Sequence, residues 1–543
     1  MRGRHTFVAA GTGFVLGMLA IGPGLAPGFV LSYDMVFVPR PGFGRATFGV
    51  TGMLPRHVPS DAFMTALSQV LPADVAQKAI LLAIFTLACA SASVLVPSER
   101  LLPRLAAGVV YAWNPFVAER LLLGQWALLL GYAGLPLVVA AAARGDHRRL
   151  VLALLPATIG GFAAWAVSGL VALVIAAYGR RVRPVLVTAA VLLVVALLWL
   201  VPSLLRATDT PADPAGVAAF AARADTPFGT LGSLLLLGGA WNAETVPGGY
   251  GGLVAALVWL LVVAVALVAY ARGRRIRGLG AAAVVGFVVA ALGAVAPGVL
   301  RGAIGVWPGF AFVRDGQQFV APLAVVIAVG IGLAVDRLPD WAGPVLLLPL
   351  VLLPGLAWGA GGRLRAVHYP ADWARARAVV ATDPGDVLVL PWEAYRGYPW
   401  NHGRRVLDPL PRFLPARVIV NDGVHVVVPG GRGLALAAED PRAREMDALV
   451  RSGAPLTDAL AARGVRYVAI DAGSADGRLA DAERLISGPD LALYRIPAAR
   501  PAHEPHPAEL PVYIAWFITF ATFIWSVRVP ASNLGKRSRT KES

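Results

Sequence analysis

The chain has 543 residues, 57% of them hydrophobic and 15% charged, with a mean hydropathy of +0.66 and a formal net charge of +16. Soluble domains carry about 25% charged residues, so a water-soluble enzyme is excluded, and the apolar residues fall in blocks of about 17–25, the length that crosses a hydrocarbon core of roughly 30 Å. The positive charge does not signal nucleic-acid binding, because the arginines cluster between apolar blocks, where they set orientation, and the lone Cys89 allows neither an intramolecular disulfide nor a cysteine metal site.

The positive-inside rule places the amino terminus in the cytoplasm. The apolar stretch 7–22 follows a basic segment, as in a signal peptide, but it runs on through Pro23 and Pro27 without a small-x-small cleavage site. It is read as a retained helix near 7–24. An outside loop near 25–77 precedes a helix near 78–96 and an inside turn with Arg100 and Arg104; helices near 105–121 and 125–143 then return to Arg144, Arg148 and Arg149. The stretch 150–178 lies between that cluster and Arg180, Arg181 and Arg183, so it must enter and leave on one side. Two short helices or a re-entrant hairpin breaking at Gly160-Gly161 satisfy this, whereas one long tilted helix would invert everything downstream. A helix near 185–205 leads to a second outside loop near 206–250, with a Pro/Asp-rich stretch at 208–214. Helices near 251–271 and 278–299 flank Arg272, Arg274, Arg275 and Arg277, and a third outside loop near 300–318 precedes helices near 319–335 and 343–360.

Residues 1–361 thus form a polytopic domain. From 362 to 510 charges, prolines and short strand patterns take over: helical patterns at 371–382 and 456–463 alternate with β-rich runs at 386–390, 417–420 and 465–470, as in a small α/β layer domain. A last helix at 511–528 runs into a basic tail, 529–543, with Lys536, Arg537, Arg539 and Lys541. That puts both termini in the cytoplasm and the 362–510 domain outside. The fold class is an α-helical polytopic plasma-membrane protein of about twelve spans, with a C-terminal extracytoplasmic α/β domain before the last helix. No internal repeat suggests a transporter built from duplicated halves.

Candidate chemistry sits in the outside segments. Asp34 follows the first helix among apolar and aromatic neighbours; partial desolvation there raises a carboxyl pKa and suits a general base, although a helix cap or a solvated acid explains it as well. Arg56, His57 and Asp61 can complete an anionic-substrate site or belong to a solvated loop. Asn114-Pro115 breaks a helix ahead of Glu119, Arg120 and Gln125, and ionisable residues at membrane depth face a cavity or each other. The alternative is a local pairing of Glu119 with Arg120 or with backbone that merely shapes the turn. Arg314 at a helix entrance can hold a phosphate or pair with Asp315. Trp392, Glu393 and Trp400 offer a carbohydrate platform or strand-end packing. No P-loop, HExxH, GxSxG or EF-hand loop is present.

A first helix followed at once by an outside loop with an Asp, then many helices and an exported C-terminal domain, resembles the polytopic GT-C superfamily of glycosyltransferases. The segments NPFVAERLLLGQW at 114–126, FVRDGQQF at 312–319 and VLVLPWEAY at 387–395 are similar to those of large actinobacterial membrane proteins of that kind, the arabinofuranosyltransferases and related mannosyltransferases of cell-envelope synthesis. The resemblance implies a polyprenyl-phosphate sugar donor and an envelope glycan or glycolipid acceptor. It also implies Asp34 as the base, and Arg314 or Arg120 as the cation at the departing lipid phosphate. Many such enzymes pair acidic residues in this loop, whereas here Asp34 has no acidic neighbour before Asp61; a single loop Asp is compatible with a reaction with or without a divalent cation, and no other cofactor is implied. Two readings compete with an enzyme: a lipid-linked sugar flippase or transporter, and a non-catalytic envelope-assembly protein that binds polymer or partner enzymes.

Overall fold

The computed structural model describes residues 2–51, 54–206, 213–273, 275–428, 431, 433–471, 477–497, 499 and 508–528. Arg274, most of the Pro/Asp-rich stretch 208–214 and the basic tail 529–543 lie outside the described residues. Among those described, eight helices are long and apolar enough to cross a membrane, and ten segments qualify if each of two bent pairs counts as one span. The pairs are Leu279–Val295 with Pro297–Val306, bent by 99°, and Asp340–Leu352 with Pro354–Gly362, bent by 65°. The sequence expectation of about twelve is higher because it counts pieces that are too short to pass that test. These are Leu101–Ala112 and the successive short helices His147–Ala153 and Leu155–Ile159.

Two breaks expected from the sequence are built by identifiable chemistry. Asn114 caps the helix Pro115–Leu122, its side chain accepting from the Val117 N–H at 3.2 Å, with Pro115 at the first helical position. The Asn114 amide also donates to the carbonyls of Val110 (3.0 Å) and Tyr111 (2.8 Å) and to Tyr132 Oη (3.0 Å). A buried helix break therefore leaves no orphan at Asn114. The stretch 147–178 divides at Gly160-Gly161. A Cβ at Gly160 would collide with the carbonyl of Ala127, near the start of the helix Trp126–Arg144, and Gly161, at φ +76°, lies against Val58 of the first loop. The other end of the following helix, Gly161–Tyr178, meets Gly278 beyond the Arg272 cluster. The Tyr178 end of this stretch thus lies away from the first loop, against which Gly161 packs.

Loops sort onto two faces. On one, Arg100 bonds the carbonyls of Asp336 (2.8 Å) and Leu338 (2.8 Å) and pairs with Asp340 at 2.6 Å, joining the turns at 96–100 and 336–340. On the other, the first loop meets the C-terminal domain. Strand β1, Phe29–Val30, pairs antiparallel with β2, Ala366–Val367, with Phe29 opposite Val367. Gln77, on the helix Ala73–Leu95, serves β1 as a surrogate strand: its side chain accepts from Val30 N at 2.9 Å and donates to Val30 O at 2.6 Å.

The C-terminal domain is built on a five-stranded sheet. In chain order its strands are β3 (Asp386–Leu390), β4 (Tyr395–Gly397), β5 (Arg405–Leu407), β6 (Val418–Ile419), β7 (Val424–Val427), β8 (Gly433–Leu436), β9 (Val465–Asp471), β10 (Glu483–Ser487) and β11 (Leu491–Arg495). The main sheet runs β10-β11-β9-β3-β6, with β3 parallel to β9 and β6 and the β9-β11-β10 edge antiparallel; β4-β5 and β7-β8 are separate hairpins. Buried β3 and β9 read as nearly continuous apolar runs, as central strands covered on both faces do. The last helix, Glu509–Arg528, rejoins the helical domain, Thr519 Oγ1 donating to Val194 O at 3.0 Å. Large apolar side chains stay exposed along the outer helices, among them Leu186, Val254, Val288 and Phe517; their natural surroundings are lipid.

Candidate active site

Asp34 sits in a tight turn gripped from two directions. Its own N–H donates to Leu123 O at 3.0 Å, at the end of the helix Pro115–Leu122. The preceding Tyr33 is in the left-handed region, φ 45°, and is held there by β5: Tyr33 N donates to Arg405 O at 2.8 Å and Leu407 N to Tyr33 O at 2.9 Å. A non-glycine residue in that conformation is strained and persists only where its surroundings over-determine it. Gly124 packs beneath the turn at φ +75°, where a Cβ would strike Ser32 O and Met35 N. The C-terminal domain is therefore part of the Asp34 site, not an appendage to it.

The Asp34 carboxylate accepts from Tyr395 Oη at 2.6 Å and from Gln125 Nε2 at 3.3 Å. Gln125 Oε1 in turn accepts from Arg120, whose fully buried guanidinium binds Asp315 in bidentate fashion at 2.6 and 2.9 Å and donates through Nε to Gln317 Oε1 at 2.7 Å. Gln317 donates to Glu119 Oε2 at 3.1 Å and to Gly238 O at 3.2 Å, and Glu119 faces the carboxyl of Asp225. One polar chain thus ties the first loop, the 114–126 segment, the 312–319 segment and the C-terminal domain together. Burial raises the carboxyl of Asp34 above the ordinary carboxylate range; the bonds from Tyr395 and Gln125 oppose the rise, and the charge of Asp315 adds to it. Burial, with the adjacent Asp34 charge, pushes the Tyr395 phenol well above its usual value, so it remains a donor.

The structure brings together Asp34, Glu119, Arg120, Gln125 and Asp315 from the sequence candidates. Of the alternatives, neither the local Glu119–Arg120 pair nor the Arg314–Asp315 pair is an ion pair among the described residues, and Asp315 closes on Arg120 across the fold. Arg314 instead lies 5.7 Å over the Phe220 ring with Nη2 3.8 Å from Glu439, a carboxylate that also pairs with Arg56. The charge of Arg56 reaches Asp34 and Tyr395. His57 is exposed, and Asp61 pairs with Arg412 at 2.9 Å, in a separate cluster. Trp392 donates to Asp447 Oδ1 at 2.9 Å within the C-terminal domain, and Glu393 is exposed beside it. Trp400 packs in an aromatic cluster with Tyr398 (4.9 Å), Tyr369 (5.2 Å) and Trp373 (5.6 Å).

Sequence reasoning did not single out Tyr395, Gln317, Gly124 or Asp225. Tyr395 and Gln317 lie inside the segments that carry the family resemblance, but their partners are 361 and 198 residues away. Among the described residues no group of three or more His, Cys, Asp or Glu is arranged to hold a metal ion. At Asp34 the donor set is one carboxylate already accepting from Tyr395 and Gln125.

No family model and no curated protein matches the sequence. Among solved structures, the chain is similar to the arabinofuranosyltransferase AftD from mycobacteria, determined by single-particle cryo-EM, with a TM-score of 0.58 at 16% identity over 92% of this chain. The present chain spans 40% of that protein's length. At this identity the likeness concerns the fold: the chain shares its backbone architecture with that part of the arabinofuranosyltransferase.

Proposed function

We propose that this chain is a multi-pass plasma-membrane glycosyltransferase that moves a sugar from a polyprenyl-phosphate donor to an envelope glycan or glycolipid, on the extracytoplasmic face that carries the 362–510 domain. The observation that carries the proposal is the half-buried Asp34, held by Tyr395 from one domain and Gln125 from the other, on a GT-C-like backbone.

In this reading the acceptor hydroxyl oxygen forms a bond to the anomeric carbon as the anomeric carbon–phosphate oxygen bond breaks. The bonding pair leaves with the phosphate, and the hydroxyl proton passes to Asp34. A raised carboxyl pKa brings the base nearer to the working pH and strengthens it as a proton acceptor. Arg120 is saturated by Asp315, Gln317 and Gln125, so its part is to orient Gln125 and through it Asp34. Arg314 and Arg56, which share the single carboxylate of Glu439, are the cations left to meet a departing phosphate.

The test is sugar transfer by the full chain in lipid nanodiscs, offered a panel of polyprenyl-phosphate sugars and envelope-glycan acceptors, with Asp34→Ala beside wild type. Transfer that collapses in the variant is the expected result. Absence of transfer from every donor by folded protein overturns the proposal.

A further inference from the structure

A concave site lies beside the Ser32–Tyr33 segment, where the helical domain hands over to the C-terminal domain. It is a cavity of about 440 Å³ whose lining includes Arg363, Arg365, Arg404 and His402. Arg363 and Arg365 follow directly on the bent pair that ends at Gly362, which sets the cavity at the depth where a bilayer's headgroups begin. Arg404 comes from the β4-β5 hairpin side and lies 5.5 Å over the ring of Tyr33.

Among the described residues none of these arginines forms an ion pair with a carboxylate. They are fixed instead by neutral acceptors. Arg363 donates to Ala360 O (3.1 Å), Glu244 O (3.0 Å) and Val246 O (3.2 Å), and Arg365 to Gly362 O (2.9 Å). Arg404 donates to Ser32 Oγ (2.9 Å) and Leu122 O (3.0 Å). Each fork is thereby oriented while Nη2 of Arg363, both Nη atoms of Arg365 and Nη1 of Arg404 have no protein acceptor among the described residues. The carboxylate of Glu244 accepts from Tyr33, and its charge reaches Arg404 without an ion pair forming. Burial, and for Arg363 the repulsion of Arg404, disfavours the charged guanidinium forms. Like charges pre-oriented in a partly dry hollow are stabilised by an anion, and planar guanidinium forks match the oxygens of a phosphate.

We infer that the Arg363–Arg365–Arg404 cavity is a phosphate-binding site, separate from the Asp34 network, which takes a phosphate group at headgroup level. The shared chemistry has two sources, the phosphate of an anionic membrane lipid and a free inorganic phosphate. Binding is independent of whether the protein transfers sugar, so failure here and failure of the glycosyltransferase reading are separately visible.

The experiment is thermal unfolding of the full chain in phosphatidylcholine nanodiscs, repeated with phosphatidylglycerol included and, in a second arm, with inorganic phosphate titrated into the buffer at constant ionic strength. Arg365→Ala is the primary variant because Arg365 is exposed and its loss leaves the packing intact; Arg363→Ala and Arg404→Lys follow, with Arg495→Ala, already paired with Glu483, as control. The expected result is stabilisation of wild type and of the control, with the affinity weakened about tenfold or more by each cavity arginine-to-alanine change. Stabilisation by the anionic lipid alone assigns the site to a headgroup, and stabilisation by inorganic phosphate, with or without the lipid, assigns it to the phosphate group as such. No stabilisation in either arm, or stabilisation that Arg365→Ala and Arg363→Ala leave untouched, overturns the inference.

Discussion

Replacing Tyr395 by Phe removes one hydroxyl and nothing else from the Asp34 site. That hydroxyl donates to the carboxylate at 2.6 Å, a short bond to a charged acceptor. Such bonds contribute about 1.5–3 kcal/mol; Asp34 is half-buried, so water recovers part of this, and the lower end of the range applies. The bond favours the ionised form, so its loss raises a pKa that burial already holds high, by about one unit at roughly 1.4 kcal/mol per unit. A base must be ionised to act. The acid limb of kcat/KM, which reports the free enzyme, is therefore expected above the ordinary carboxylate range in wild type. In Tyr395→Phe it moves up by about one further pH unit, costing about tenfold on the limb and little on the plateau. The assay is sugar transfer in nanodiscs across the pH range for both proteins. An unmoved limb, or an equal loss at every pH, refutes Asp34 as the base coupled to Tyr395.

Asp34→Asn is expected to lower transfer by about 10²–10⁴-fold without lowering the melting temperature. The folded-state pKa lies above the unfolded one, so the ionised carboxylate costs stability at neutral pH, and removing its charge removes that cost; a large drop in melting temperature contradicts this. Gly124→Ala places a Cβ on Ser32 O and Met35 N at a φ of +75°, so the Asp34 turn must shift. A displacement near 1 Å costs about 10²-fold in transfer, with stability reduced by about 1–3 kcal/mol for the strained residue; wild-type rates in a stable variant count against the packing role. Arg120→Met strands Asp315 and two glutamine oxygens, a loss of about 3 kcal/mol in denaturant unfolding. The double change Arg120→Met/Asp315→Asn is expected to recover part of that loss, and strict additivity argues against the pair.

The membrane character, the loop that carries Asp34, the Asn114-Pro115 break, the helix break at Gly160-Gly161 and the strands read at 386–390 and 465–470 were legible in the sequence. Each rests on a local cause: the length of an apolar run, a capping side chain, a glycine able to take φ above zero, or a β-branched run between turns. Short helices such as Leu155–Ile159 were harder to place, because local hydropathy does not say how a chain crosses once the helix is too short to span alone. What only the tertiary structure decided is which charges meet. Arg120 has Glu119 beside it in the chain yet closes on Asp315, 195 residues away, and Asp34 finds Tyr395 361 residues on, because helix packing and the β1–β2 and Tyr33–β5 contacts bring those segments together. A buried guanidinium or carboxylate must be satisfied by whatever the whole fold places within about 3 Å, and sequence spacing carries no record of that distance.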